Sequence, residues 1–70
     1  MKLIIDAIVL IIERKRVARH EPLIATSMEV YREIGLNPEH FAIAEALDKA
    51  GIVAGKTFAH TYYKLKKHNL

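Results

Sequence analysis

The chain has 70 residues, of which 51% are hydrophobic, with a formal net charge of +3 and no cysteine. A chain of this length forms one domain, here residues 1–70, and buries only about 60% of the surface that its unfolded form exposes. The lack of cysteine excludes disulfides and thiolate metal sites. We therefore expect so small and apolar a domain to gain stability by self-association.

The first apolar run covers residues 3–12 and contains Asp6. A membrane-spanning helix needs about 20 apolar residues, which is longer than this run. A signal peptide places its basic residues before the apolar run, whereas here Arg14, Lys15 and Arg16 follow it. The sequence therefore predicts a cytoplasmic protein with no membrane partner.

The first predicted helix runs from about Lys2 to Arg16. A stripe of roughly 80° contains Lys2, Asp6, Val9, Glu13 and Arg16, and nearly all the rest of the helix is apolar. Because a globular face needs only about 100° of helix surface, we expect this helix to pack on two sides, against its own domain and against a second copy. A strand is the alternative, since isoleucine favours sheets, but strict alternation would leave both faces apolar. Residues 1–20 would then be a dimerisation helix, with an interface formed by Ile4, Ile5, Ile8, Ile11 and Ile12.

Proline and glycine residues delimit the next two predicted helices. The second helix has Pro22 in its first turn and ends at Gly35, which suits a left-handed terminator. The third helix begins with the capping sequence at residues 37–39 and runs to about Ala50, and Gly51 stops it. These boundaries predict two short amphipathic helices in the middle of the chain.

Charge is separated along the chain. Residues 49–70 contain five lysines and no acid, whereas residues 21–48 contain six acids and one arginine. Such separation suggests that one surface meets a polyanion. We predict a fourth helix from residues 55–57 almost to the end, with an inner face of Phe58, Thr61, Tyr62 and Leu65. Its candidate DNA contacts are Lys56, Thr57, His60, Tyr63, Lys64 and Lys67.

That basic helix has a second interpretation. Lysines near the end of a helix solvate it and offset its negative terminus without any ligand. This explains Lys66 and Lys67, but it explains less well why Lys56 and His60 share a face in a segment without acids. We therefore favour DNA contact.

Residues 43–52 read Ile-Ala-Glu-Ala-Leu-Asp-Lys-Ala-Gly-Ile, and Thr57 follows at the opening of the fourth predicted helix. This pattern resembles the helix-turn-helix modules of small bacterial and phage regulators and of recombinase accessory domains, over about residues 43–67. The resemblance implies a helix-turn-helix over residues 37–68 whose second helix enters the DNA major groove. Only 13 residues follow Thr57, too few for both a helix and a β-hairpin wing, which excludes a winged version.

A second basic cluster follows the first apolar run, and two interpretations of it stay open. Its side chains could bind phosphates beside the recognition helix. Equally, they could complement the dipole of the first helix and pair locally with Glu13 and Glu21. The members of this cluster are Arg14, Lys15, Arg16 and Arg19.

The sequence contains no pattern typical of a metal or catalytic site. His60 and His68 are eight residues apart, and no two histidines have the i, i+4 spacing of a zinc-binding helix. Residues 55–57 read Gly-Lys-Thr, but the preceding spacing and strand of a phosphate-binding loop are missing. We expect no metal, no cofactor and no enzymatic activity.

These observations together predict an all-α fold, a small four-helix domain with a helix-turn-helix. Its predicted function is sequence-specific binding of duplex DNA as a homodimer. It would be a transcriptional repressor or accessory factor of the kind found on phages and other mobile elements. The alternative is a helical protein–protein interaction module, of the inhibitor or antirepressor type, that docks through its apolar N-terminal helix.

Overall fold

The structure, a computed structural model, describes residues 2–66. Within that range three α-helices pack on a three-stranded antiparallel sheet, so the fold is mixed α/β and the predicted all-α four-helix domain is wrong. The elements are, in chain order, α1 (Lys2–Ala18), β1 (Ala25–Thr26), α2 (Ser27–Ile34), a 3₁₀ turn (Pro38–His40), α3 (Ala44–Lys49), β2 (Ile52–Lys56) and β3 (Thr61–Leu65).

The first predicted helix is confirmed as α1. Its buried side chains recur every three or four residues and therefore share one face of the helix. The helix ends at Arg19, whose φ of 56° is left-handed, and the amide of His20 donates to the Lys15 carbonyl at 2.8 Å. That bond satisfies a carbonyl left free at the helix end. The buried residues of α1 are Ile4, Ala7, Ile8, Ile11 and Ile12.

Helix α2 begins later than the predicted second helix. It starts at Ser27, because Thr26 and Glu29 form a reciprocal capping box at that point. The Thr26 side chain accepts the Glu29 amide at 3.2 Å, and the Glu29 carboxylate accepts the Thr26 amide at 2.9 Å. Gly35, with a φ of 73°, ends the helix as predicted. Pro22 therefore lies before β1 and not in a helix.

The third predicted helix is divided into two pieces. Asn37 caps the 3₁₀ turn, as its capping sequence predicts, by accepting the amide of Glu39 at 2.9 Å. The backbone is then extended at Phe41, with φ −126° and ψ 146°, so that α3 begins only at Ala44. Gly51, with a φ of 74°, follows the end of α3, and its role as a stop is confirmed.

Strands β2 and β3 form a hairpin where the fourth helix is predicted, and that prediction is wrong. Thr61 and Tyr63 are buried whereas Lys64 is exposed, an alternation with the period of two that strands have. The β-branched and aromatic residues of this segment also favour a sheet. The hairpin begins at Ile52, before Thr57, so the number of residues that follow Thr57 does not exclude a hairpin.

Strand β3 lies at the centre of the sheet, in the order β1-β3-β2. Ala25 pairs with Tyr63, and Ala54 pairs with Tyr63 from the other side. The sheet thus joins β1, which precedes α2, to the hairpin that follows α3. Each helix and each strand contributes to one core, made of Ile4, Ala7, Ile8, Ile11, Ile12, Ala25, Val30, Ile43, Leu47, Ile52 and Tyr63. Over residues 2–66, no helix has the length and apolar character needed to cross a membrane.

Candidate nucleic-acid interface

The hairpin carries exposed lysines on both of its faces. Side chains alternate between the two faces of a strand, and Lys56 is four residues from the buried Ile52. It therefore lies on the same, inner face, at its edge. Lys64 is the cross-strand partner of Val53. It follows the buried Tyr63 directly, so it lies on the opposite, outer face. Lys66 follows β3 and approaches Asp48 to 3.5 Å. A ligand that follows the hairpin would meet cations on both faces.

The loop that joins the two strands has a defined conformation. The Thr57 amide donates to the His60 carbonyl at 2.8 Å, and the Thr57 hydroxyl accepts the His60 amide at 3.2 Å. These bonds close the turn and leave Phe58 at the tip with a fully exposed side chain. Phe58 therefore does not lie on an inner face, as predicted. Thr57 and His60 belong to the same loop as Phe58.

Two adjacent tyrosines of β3 have different environments. Tyr63, a predicted DNA contact, is 3% exposed and packs in the core, where burial raises the pKa of its hydroxyl. Tyr62 lies on the outer face, with its ring across Gly55. The outer surface of the hairpin therefore presents Tyr62 and not Tyr63. The remaining predicted contact, Lys67, lies outside the described residues.

The second basic cluster is largely paired within the chain. Arg14 donates to the Glu33 carboxylate at 2.8 and 3.3 Å. Lys15 is largely buried and bonds the Glu29 carboxylate at 2.8 Å. Arg16 pairs with Glu13, one of the two local partners considered from the sequence. Arg19 occupies the left-handed end of α1. Local pairing thus accounts for Arg14, Lys15 and Arg16.

The segment between α2 and the hairpin is acidic on its exposed side. Glu39, Glu45 and Asp48 are all exposed, and the only cation near them in sequence is Lys49. The Ser27 hydroxyl donates to the Glu39 carboxylate at 2.6 Å, and this bond lowers the pKa of Glu39. A groove of about 320 Å³ separates this segment from the inner face of the hairpin. The cationic part of this half of the molecule is therefore the hairpin.

The predicted dimer residues of α1 lie in the core of a single copy. Ile4, Ile8, Ile11 and Ile12 are at most 7% exposed, and Ile5 is half-buried. Another apolar stripe of α1 is exposed, formed by Leu3, Leu10 and Val17. Residues seven apart lie on one helix face, but Ile4 and Ile11 have the same spacing as Leu3 and Leu10, so spacing alone does not show which apolar face is buried.

Sequence reasoning also missed the exposed Phe58 and the contact between Tyr62 and Gly55. The alternation along residues 61–65 agrees with a strand, in which the faces assigned from a helical period are exchanged, and it concerns Tyr62 but not Phe58. Over residues 2–66, no three His, Asp or Glu side chains come together as a metal site requires. Comparison of the chain with family models, with curated proteins and with solved structures finds no match.

Proposed function

We propose that the protein binds duplex DNA sequence-specifically through the β2–β3 hairpin and the adjoining α2–α3 segment. It would act in the cytoplasm as a small transcriptional repressor or accessory factor. The supporting observation is the position of the hairpin. It follows the two short helices α2 and α3, and its lysines are exposed on both faces. A fold alone does not define a function, so the residues of the site have to support it.

The charge of the hairpin supports phosphate contact. From residue 49 to residue 66 the chain has four lysines and no acid. Lys56 and Lys64 lie on opposite faces of the hairpin and are exposed. Phosphate contacts supply most of the affinity and set the register of a protein on DNA. A two-stranded ribbon fits the major groove, where cations on its two faces can meet phosphates of both strands.

The acidic side chains of α3 limit how that segment contributes. Phosphates repel Glu45 and Asp48, so α3 cannot supply the electrostatic part of the affinity. A carboxylate can accept a hydrogen bond from the amino group of cytosine, which is a contact to a base and not to a phosphate. On this proposal affinity depends on the hairpin, and α3 contributes to sequence preference.

Fluorescence anisotropy of a mixed-sequence duplex, measured over a salt series, tests the proposal. The slope of the logarithm of affinity against the logarithm of salt falls by about 0.9 for each phosphate contact that is lost. We expect Lys64→Gln and Lys56→Gln each to weaken binding and flatten this slope. The matched control is Lys2→Gln, which removes the same charge from an exposed position at the start of α1. Absence of wild-type binding, or an equal effect of the control, would contradict DNA contact through the hairpin.

Protein docking through α1 is the second candidate function. It is supported by the exposed stripe of Leu3, Leu10 and Val17. A module of this kind would show no salt-sensitive affinity for duplex DNA, so the same titration distinguishes the two functions.

A further inference from the structure

The exposed apolar stripe of α1 fits a second copy of the same helix. Leu3, Leu10 and Val17 are 66%, 42% and 80% exposed. Seven residues are close to two full turns, so each of these side chains is only about 20° away from the next around the helix. We propose that α1 pairs side by side with α1 of a second copy, with both helices running in the same direction. This proposal does not depend on DNA binding.

The charges beside the stripe determine the direction of pairing. At about 100° per residue, Asp6 and Glu13 lie about 40° and 60° to one side of Leu10, and Arg14 lies about 40° to the other side. The charges nearest the stripe are therefore acids on one side, the acidic border, and Arg14 on the other, the basic border. Each has a partner within the chain that lies farther from the stripe: Lys2 for Asp6, Arg16 for Glu13 and Glu33 for Arg14. Glu13 and Arg14 are accessible, with side chains 41% and 59% exposed.

The two possible directions bring different borders together. When two helices run in the same direction about a two-fold axis, the acidic border of each meets the basic border of the other. Glu13 then approaches the Arg14 side chain of the second copy at almost the same height. When the helices run in opposite directions, like borders meet, and Asp6 faces the Glu13 side chain of the second copy. Opposite charges attract across the parallel arrangement, whereas the antiparallel one places acids together.

Both charged residues retain capacity for a contact between copies. Glu13 accepts both hydrogen bonds of Arg16 through Oε1, so Oε2 can accept another donor. Arg14 uses two of its nitrogen atoms on Glu33, and a guanidinium has five N–H donors. A shallow groove of about 370 Å³ on the same helix surface can accommodate an apolar side chain of the second copy. Its lining residues are Leu10, Glu13, Arg14, Val17 and Ala18.

Sedimentation equilibrium of the full chain over a concentration series tests this pairing. We expect reversible dimerisation by the wild type and at least about tenfold weaker association by Leu10→Glu, which places charges at the centre of the stripe. Leu10 is exposed in a single copy, so this variant should fold, and circular dichroism would verify that. The matched control is Phe58→Glu, which makes the same change at the exposed tip of the hairpin and should dimerise like the wild type.

A charge reversal tests the direction of the helices. In the parallel pair Glu13→Arg places two arginines together and weakens the dimer, and adding Arg14→Glu restores it by exchanging the two borders. Glu33→Arg accompanies Arg14→Glu so that residue 14 keeps its ion pair with α2. In an antiparallel pair Glu13→Arg would face Asp6 and strengthen the dimer. A monomer at every concentration, an unchanged dimer in Leu10→Glu, or a stronger dimer in Glu13→Arg would overturn the proposal.

Discussion

The ring of Tyr62 lies directly over the backbone of Gly55 on the outer face of the hairpin. The two residues are cross-strand partners, and a Cβ built on Gly55 would overlap the hydroxyl and ring of Tyr62. Glycine inside a strand normally weakens it, but it also permits close approach of another group. Here the approaching group is an aromatic ring from the neighbouring strand, which thereby covers part of β2.

We expect Gly55→Ala to lower the free energy of unfolding by about 1–2 kcal/mol, because the Tyr62 ring must move to admit the methyl group. In a Tyr62→Ala background that overlap is absent. The same substitution should then be neutral, or stabilising by up to about 1 kcal/mol, since alanine loses less backbone entropy than glycine. Urea unfolding of the four variants measures the coupling. An equal loss in both backgrounds would show that the ring does not lie over Gly55.

The capping box of α2 predicts that the protein loses stability in acid. Partial burial raises the pKa of Glu29, but hydrogen bonds from Lys15 and Thr26 outweigh it and hold the pKa below its ordinary 4.5. A pKa lowered by folding contributes stability that is complete above the unfolded value and is lost as the pH falls through the folded value. We therefore expect the free energy of unfolding to decrease below about pH 4.5.

Glu29→Gln should flatten that decrease, because glutamine has no group that titrates in this range. It should also lower stability at neutral pH, because Lys15 loses its ion pair. Urea unfolding between neutral and acidic pH measures the effect. The matched control is Glu45→Gln, which removes an exposed glutamate from α3 and should keep the dependence of the wild type. An unchanged profile in Glu29→Gln would exclude this residue as a source of the acid sensitivity.

The orientation of α1 predicts opposite results for two neighbouring apolar residues. Ile8 is 0% exposed, and Ile8→Ala should cost about 2–5 kcal/mol of unfolding free energy through lost burial and a cavity. Leu10 is 42% exposed, and Leu10→Ala should cost less than about 0.5 kcal/mol when measured at a protein concentration too low for association. Similar losses for the two variants would mean that α1 is rotated relative to the core.

Local signals in the sequence predicted several boundaries correctly. Gly35 and Gly51 both have positive φ, and Asn37 caps the segment that follows it. Each of these features depends on residues a few positions apart, so the sequence contains the information directly. The helical period of α1 was also sufficient to predict that helix.

The hairpin could not be predicted in the same way, because its pairing is not local. Tyr63 finds a partner in Ala25, on a strand of two residues that the sequence offers no reason to expect. Thr61, Tyr62 and Leu65 also fit a helical face, so a short apolar pattern was compatible with either structure. The predicted exposure of Lys56 and Lys64 holds in the hairpin, since a lysine is exposed on either element. Tyr63, in contrast, was placed on the surface by the helical period and lies in the core of the sheet.

The central claim is that the hairpin is the surface that contacts DNA. Titration of a duplex into isotope-labelled protein, followed by two-dimensional NMR of the backbone amides, tests it most directly because each amide reports its own environment. We predict that the largest shifts fall at residues 51–66, which include Lys56, the loop and Lys64, with smaller shifts in α3. Amides at the start of α1, around Lys2, should stay unchanged. Spectra without shifts, or with shifts confined to α1, would contradict the claim.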